Sequence, residues 1–354
     1  MGIVFRQSIK TSIVTLAGAV LGALITIIST YVLSKTELGL YTNIIYAGAI
    51  IQLIVMMGTG NAIAIYTQKY DVNDEKRKAL LTFGMLVTIA FAIIFSVLYF
   101  AFKEPIIALF KAEDQILIRE YYFLVPVLVF IWSALSIFEH YLIVHVKIAV
   151  SAFVREVLLR LFNLVLLGCV FYGLLTVNTF LYASVLVYII PLVALAIISS
   201  KTPGFGFTRN LKVFSWKEYK DIINFSWYHL LIMASFYIMN YIDALMLGPL
   251  DQTGMESVGV YRTAVFIAAV MFMPFKAMSS SSLPILNEAV INKDHYKVND
   301  LFSRAGVNIL IVGIGLFVLI AMNLDNAVAI LAEGYESVKP LVLILMLGRL
   351  VDMA

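Results

Sequence analysis

The stretch Glu37-Leu38-Gly39-Leu40-Tyr41 returns about 220 positions later as Glu256-Ser257-Val258-Gly259-Val260-Tyr261. The glycines and the tyrosines of the two copies keep an offset of 220, and both copies lie between long apolar stretches. The same offset places Asp74 on Asp294 and Arg77 on Lys297, in the polar connection that follows each copy. Self-similarity at a fixed offset indicates a repeated structural unit. The sequence therefore predicts two related halves.

The composition places both halves in a membrane. Apolar residues make up 62% of the chain, charged residues 13%, and the mean hydropathy is +0.96. Soluble domains have roughly 45 to 50% apolar and about 25% charged residues. Apolar runs long enough to cross a bilayer as helices lie at 8–33, 39–66, 80–102, 121–145, 150–175, 178–200, 222–248, 256–282, 302–323 and 338–354. They predict an all-α integral membrane protein, a two-lobed bundle of repeated six-helix units.

The runs also predict domain boundaries. An N-terminal lobe of six helices covers 1–200, a linker covers 201–221, and a C-terminal lobe covers 222–354. The last run reaches the chain end without a polar flank, which predicts that the second lobe is truncated. Lysines and aromatic residues in the linker favour either an amphipathic helix on anionic headgroups or a simple positively charged loop.

The distribution of charge predicts an orientation. The N-terminus and alternate connections hold sixteen Lys and Arg residues, whereas the remaining connections hold five. Because positive residues favour the cytoplasmic side, the N-terminus and the linker are predicted to be cytoplasmic. An even number of helices in each unit gives both copies the same orientation, related by an axis along the membrane normal.

Several kinds of chemistry find no support in the sequence. Cys169 is the single cysteine, and the four histidines lack the spacing of metal ligands. We find no glycine-rich nucleotide loop and no nucleophile constellation. The sequence predicts neither a metal nor a cofactor, no nucleic-acid partner, and a transporter rather than an enzyme.

The motifs in both lobes resemble one family. The first lobe has the turn Lys35-Thr36-Glu37-Leu38-Gly39-Leu40-Tyr41 and a second helix ending in Gly58-Thr59-Gly60-Asn61. The second lobe has Tyr241-Ile242-Asp243-Ala244-Leu245-Met246-Leu247-Gly248, then Val258-Gly259-Val260-Tyr261-Arg262-Thr263-Ala264, then Ser279-Ser280-Ser281-Ser282-Leu283-Pro284-Ile285-Leu286. This order is similar to that of the polysaccharide flippase (O-antigen/oligosaccharide-lipid transporter) branch of the MOP (multidrug, oligosaccharidyl-lipid, polysaccharide) superfamily.

The resemblance implies an alternating-access flippase in the bacterial cytoplasmic (inner) membrane. Its substrate is expected to be an anionic glycan linked to undecaprenyl diphosphate, moved from the inner to the outer leaflet for cell-surface polysaccharide biosynthesis. The bilayer and polysaccharide synthesis enzymes are the other expected partners.

Charged side chains inside the predicted helices are the candidate binding site. Such residues are costly in a bilayer, and they usually face the protein interior and mark a pathway. Arg160 lies about 15 Å into the fifth helix, near the middle of a core of about 30 Å. Glu156 is one turn from Arg160, and Arg155 and Glu139 lie at a similar, shallower level. These four residues either form ion pairs that fix helix packing or bind a diphosphate through the guanidinium groups.

Three further sets of residues are predicted in the second lobe. Asp243 and Arg262 lie at matching depth and are expected to form a structural pair. Lys276 either lines a cavity or extends its ammonium group to the membrane interface. Arg349 and Asp352, three positions apart, are expected to pair. The tyrosines and phenylalanines are interpreted as mostly lipid-facing and interfacial.

Two rival functions remain beside the flippase. A multidrug cation antiporter of the same superfamily would need acids that are not balanced by arginine. Here the intramembrane cations at least match the acids in number, which favours an anionic substrate. A membrane glycan polymerase or ligase would be expected to carry a large outer loop, and the longest one here, 103–120, is short.

Overall fold

The chain is described by a computed structural model over residues 3–72, 74–145, 148–271, 286, 289–290, 292 and 294–353. Its secondary structure is helical, and no strand occurs in these ranges. In chain order the helices are α1 Ile3–Val32, α2 Lys35–Met56, α3 Thr59–Tyr66, α4 Glu75–Ala101, α5 Lys103–Ala108, α6 Ala112–Tyr121, α7 Leu124–Val144, α8 Ile148–Phe153, α9 Leu159–Phe171, α10 Val177–Leu186, α11 Ile189–Ser200, α12 Trp216–Leu250, α13 Met255–Val270, α14 His295–Met322, α15 Leu324–Ala329 and α16 Val338–Met353. A π-helical segment, Val154–Leu158, joins α8 to α9.

The helices have the length and surface of membrane spans. Among the described residues, six stretches are long and apolar enough to cross a bilayer, namely Lys35–Met56, Glu75–Ala101, Leu124–Val144, Val177–Ser200, Trp216–Leu250 and Val298–Met322. Protein covers little of the surface of some of them, since only 28% of the apolar window of α4 and 11% of that of α12 are buried. Apolar surface of this extent is stable against lipid and not against water. The predicted all-α integral membrane fold is confirmed.

Two of the predicted membrane helices are interrupted. The run 39–66 breaks where Met57 and Gly58 adopt positive φ angles of 49° and 73°. A Cβ atom on Gly58 would lie 2.0 Å from the carbonyl oxygen of Ser226, so only glycine fits this approach of α12. The run 178–200 divides into α10 and α11 just before Pro191, which cannot donate a backbone hydrogen bond to the preceding turn.

The repeated motif lies where the two lobes meet. Helix α2 of the first lobe packs against α12 and α13 of the second. A Cβ atom on Gly39 would lie 1.8 Å from the carbonyl oxygen of Met255, and one on Gly259 would lie 2.1 Å from that of Lys35. The two contacts are equivalent in the repeat, because Gly259 is the counterpart of Gly39 and Met255 is the counterpart of Lys35 at the offset of 220. The glycines therefore mark a pseudo-two-fold axis, and the repeated two-lobed architecture is confirmed.

One end of the bundle holds the α1–α2 and α12–α13 turns, and we call it the far end. Polar contacts tie the lobes together there. The ammonium group of Lys35 lies 3.1 Å from the carboxylate of Glu256. The backbone N–H of Met255 donates to the buried carboxylate of Asp114, at 2.9 Å. The Tyr31 hydroxyl donates to the carbonyl oxygen of Ile330, also at 2.9 Å. In this conformation the lobes are joined at the far end.

The opposite end, which we call the linker end, carries the connection between the lobes. The segment from Lys201 to Ser215 contains a single 3-10 turn and forms no amphipathic helix. Its Phe214 is buried among apolar residues of the first lobe. The backbone N–H of Thr208 donates to the hydroxyl of Thr82, at 3.0 Å. Of the two predicted alternatives, an amphipathic helix and a simple loop, this segment forms the loop. The predicted linker 201–221 is too long at its C-terminal end, because α12 begins at Trp216.

We predict that the linker end faces the cytoplasm, because it carries most of the positive charge. In a Cys169→Ala background, a cysteine replacing Arg209, which is exposed on the linker, should resist impermeant thiol reagents in intact cells and react after permeabilisation. A cysteine replacing Glu113, exposed in α6 at the far end, is the matched control and should react in intact cells. The reverse labelling pattern would invert the orientation.

Candidate functional site

The candidate site forms around the π-helical segment between α8 and α9. Its wider turn is closed by the Leu159 N–H, which donates to the carbonyl oxygen of Val154 five residues earlier. In a regular α-helix, Arg155 and Arg160 would point about 140° apart. A π turn spaces hydrogen-bonded residues five apart, which brings side chains at that spacing closer to one direction. From this stretch Arg155 reaches Glu139 on α7, and Arg160 reaches the carbonyl oxygen of Gly18 on α1.

Arg155, Arg160, Glu139 and Glu156 come together, and we call them the arginine cluster. Nη1 of Arg155 lies 3.1 Å from Oε2 of Glu139 on α7, and Nη2 of Arg160 lies 2.6 Å from Oε2 of Glu156. The Arg160 guanidinium also donates to the carbonyl oxygen of Gly18 on α1. Each arginine thus has a carboxylate partner, and the cluster as a whole carries no net charge.

Two glycines make room for this arrangement. A Cβ atom on Gly18 would lie 3.0 Å from the Cβ atom of Glu156, and one on Gly22 would lie 2.7 Å from Nη1 of Arg160. The glycines are one helical turn apart on α1, so they form one face. That face lets the Glu156–Arg160 pair lie directly against the helix backbone.

Arg155 is the most accessible member of the arginine cluster. Its side chain is 53% exposed, whereas that of its partner Glu139 is 11% exposed. Tyr188 and Tyr237, from different parts of the chain, lie within electrostatic range of the Arg155 guanidinium. Much of the Arg155 side chain is thus accessible to a ligand, although other elements of the protein lie near it.

Tyrosines line the same region between the lobes. Tyr188 lies within electrostatic range of Arg155, Arg160 and Arg262. The rings of Tyr46 on α2 and Tyr241 on α12 are 4.7 Å apart, and Tyr237 lies 5.6 Å from Tyr241. The interpretation of the tyrosines as mostly lipid-facing is wrong for this set. The spacing of four residues between Tyr237 and Tyr241 could have indicated a shared tyrosine surface, because it puts both rings on one face of the helix.

The predicted pair of Asp243 and Arg262 is not formed among the described residues. Asp243 accepts a hydrogen bond from the Tyr261 hydroxyl, at 3.2 Å. Arg262 donates to the Thr42 hydroxyl, at 3.3 Å, and lies 4.8 Å from the ring centre of Tyr41. Neighbouring residues of a helix point about 100° apart, so α13 turns Tyr261 toward α12 and Arg262 toward α2. The prediction considered only the depth of Asp243 and Arg262 in the membrane. It failed because the side chain of Arg262 points toward α2 and not toward Asp243.

The other predicted residues have separate outcomes. Arg349 and Asp352 form the expected ion pair, at 3.1 Å. Lys276 lies outside the described residues. Arg262 has no described carboxylate within ion-pair distance, and it contacts Thr42, its own counterpart in the repeat. It therefore adds a positive charge to the region that the arginine cluster alone does not have.

A cavity of about 390 Å³ lies between α1, α13, α14 and α15. Its walls are almost entirely apolar and include Ile27, Phe266 and Leu319, and none of its described lining residues is charged. Its polar side chains are Thr26, Thr263 and Asn323, and none of them could pair with an ionic ligand. The polar candidate site is thus the arginine cluster with its tyrosines.

Comparison with known proteins identifies the class. Residues 4–290 match the sequence profile of a family described as polysaccharide biosynthesis protein. No match was found among curated proteins. The chain therefore belongs to the polysaccharide biosynthesis protein family.

Solved structures show the same fold. An inward-facing multidrug resistance MATE family transporter of the MOP superfamily matches with a TM-score of 0.72 and 18% identity over 97% of this chain and 84% of that one. An outward-facing conformation of a multidrug resistance MATE family transporter of the MOP superfamily matches with a TM-score of 0.66 and 16% identity, over 98% of this chain and 79% of that one. A MOP superfamily transporter from Pyrococcus furiosus Vc1 matches with 0.62 and 18% identity, over 96% and 76%. The last is described as having a binding pocket of reversed polarity that suggests a different function.

Proposed function

We propose that the protein flips an anionic glycan linked to undecaprenyl diphosphate across the cytoplasmic membrane for cell-surface polysaccharide biosynthesis. The observation that carries this proposal is the arginine cluster. Its two guanidinium groups, held by Glu139 and Glu156 on either side of one helical turn, offer hydrogen-bond donors for the two phosphates of such a substrate. The family to which the chain belongs supports the same substrate class.

The chemistry of the cluster suits a diphosphate. Guanidinium groups bind phosphate through two parallel hydrogen bonds, and such charge-assisted bonds are about twice as strong as neutral ones. Glu139 and Glu156 hold Arg155 and Arg160 in place when no ligand is bound. The exposed part of Arg155 gives the ligand a point of entry, and the tyrosine rings at the lobe interface offer flat surfaces to the sugars.

Charge separates this proposal from the cation antiporter. A cavity for cationic drugs needs carboxylates that keep their negative charge free for the ligand. Here Glu139 and Glu156 are each neutralised by an arginine, and Arg262 adds a cation without a described acidic partner. The cluster therefore leaves no carboxylate without a cationic partner for a cationic ligand, whereas its guanidinium groups have further N–H donors for an anion. Alternating access would proceed by rocking of the two lobes about their interface, and the lipid substrate would come from polysaccharide synthesis enzymes at the linker end.

Competition binding tests the proposal. The full-length protein in nanodiscs is equilibrated with a fluorescent polyprenyl diphospho-sugar and then with unlabelled competitors. We expect the unlabelled diphospho-sugar to displace the probe and tetraphenylphosphonium, a lipophilic cation, to leave it bound. Strong binding of the cation together with no binding of the diphosphate would favour the antiporter and reject the flippase.

A further inference from the structure

Glu139 is the most enclosed member of the arginine cluster. Its side chain is 11% exposed, compared with 31% for Glu156, 32% for Arg160 and 53% for Arg155. It contacts Arg155 through a single oxygen at 3.1 Å. The acid is thus enclosed, while about half of the side chain of the cation that neutralises it is accessible. A ligand that binds Arg155 therefore changes the electrostatic surroundings of Glu139.

A bound diphosphate upsets the charge balance of the cluster. In the empty site two guanidinium groups balance two carboxylates. A diphosphate that is esterified at both ends adds two negative charges, so the cluster then carries a net charge of about minus two at neutral pH. Uncompensated charge in an enclosed site is costly, and negative neighbours favour the protonated form of a carboxylate. Uptake of one proton by a carboxylate would change the net charge of the occupied cluster from about minus two to about minus one.

Glu139 is the acid best placed to take up that proton. Glu156 is more exposed and has a closer partner, Arg160, at 2.6 Å. The charged groups within electrostatic range of Glu139 are Arg155 and Glu156. The neighbouring titratable groups on the surrounding elements are His140 on α7, His229 and Tyr237 on α12, and Tyr188 before α11. Nδ1 of His140 is already engaged with the carbonyl oxygen of Ser136, at 2.7 Å.

We propose that binding of an anionic ligand to the arginine cluster is coupled to uptake of one proton by the carboxylate of Glu139. The proton comes from the solvent and is released again when the ligand leaves, and no other bond is made or broken. This inference rests on the proposed function, since it needs an anion at Arg155. By thermodynamic linkage, the affinity for the ligand rises as the pH falls.

Calorimetry of the full-length protein tests the coupling. The probe is a short-chain prenyl diphospho-sugar, whose phosphates do not titrate near neutral pH. Binding is measured at one pH in buffers of different ionisation enthalpy, which gives the number of protons taken up. We expect about one proton per ligand and an affinity that falls about tenfold for each unit of rising pH. In Glu139→Gln, a neutral isostere, we expect binding without proton uptake and without this pH dependence.

The outcomes separate the inference from the proposed function. The matched control is His140→Gln, which changes the titratable residue next to Glu139 on α7, and it should keep the uptake of one proton. Binding without proton uptake in the wild type overturns the coupling and leaves the flippase proposal intact. Uptake that persists in Glu139→Gln, or is lost in His140→Gln alone, overturns the assignment to Glu139. If the wild type binds no diphosphate at all, both proposals fail.

Discussion

Gly39→Ala is expected to abolish transport, although alanine is the better helix former by about 1 kcal/mol. The added Cβ atom would lie 1.8 Å from the carbonyl oxygen of Met255, far inside van der Waals contact. Overpacking of this kind costs about 1 to 3 kcal/mol, and here the strain is relieved when α2 and α13 move apart. The lobes then cannot close at the far end, and alternating access stops. Gly259→Ala should have the same effect, because its Cβ atom meets the carbonyl oxygen of Lys35 at 2.1 Å.

Transport and cross-linking together check this prediction. In a Cys169→Ala background, cysteines replacing Lys35 and Glu256, whose side chains form an ion pair across the lobes, should cross-link readily. Adding Gly39→Ala should reduce the cross-linking. Gly168→Ala in α9 is the matched control, since no atom lies within 4 Å of its Cβ position, and it should leave transport unchanged. Full transport and unchanged cross-linking in Gly39→Ala would show that the far end does not need this contact.

The repeat in the sequence predicted the two-lobed architecture but not the close contact between the lobes. The offset of 220 identified Gly39 and Gly259 as equivalent residues, and that equivalence predicted two lobes of the same orientation. It did not say how far the residues lie from the axis that relates them. Backbone contact between equivalent glycines depends on the angle at which α2 and α13 cross, which a hydropathy pattern does not contain.

The depth of a charged residue in the membrane was predictable from the sequence, whereas the direction of its side chain around the helix was less so. Counting residues placed Arg155 level with Glu139 and Arg160 one turn from Glu156, and both ion pairs are present. The same counting failed for Arg262, because an error of one position rotates a side chain by about 100°. The π-helical segment was also beyond prediction. It changes the register of one turn, and no residue type in Val154–Leu158 requires it.

The second large effect is expected for Arg160→Gln, which should lose transport by at least about tenfold. Hydrogen bonds to charged groups contribute about 1.5 to 3 kcal/mol each, and every 1.4 kcal/mol is a factor of ten in affinity. Arg160→Lys should restore only part of the activity, since an ammonium group cannot bind phosphate through two parallel bonds. Transport of the lipid-linked glycan by the full-length protein in proteoliposomes, normalised to the amount of folded protein, is the measurement.

A loss in Arg160→Gln has two physical causes that a double variant separates. Removing Arg160 strands the Glu156 carboxylate, which is 31% exposed, and an unpaired charge in a partly enclosed site destabilises the fold. In Glu156→Gln/Arg160→Gln both charges are gone, so stability should recover. If the pair only fixes helix packing, transport recovers as well; if Arg160 binds the diphosphate, transport stays low. Arg119→Gln, which breaks the exposed Arg119–Glu104 pair at the far end, is the matched control and should transport normally. Recovery of transport in the double variant would therefore assign the cluster to packing and remove Arg160 from the binding site.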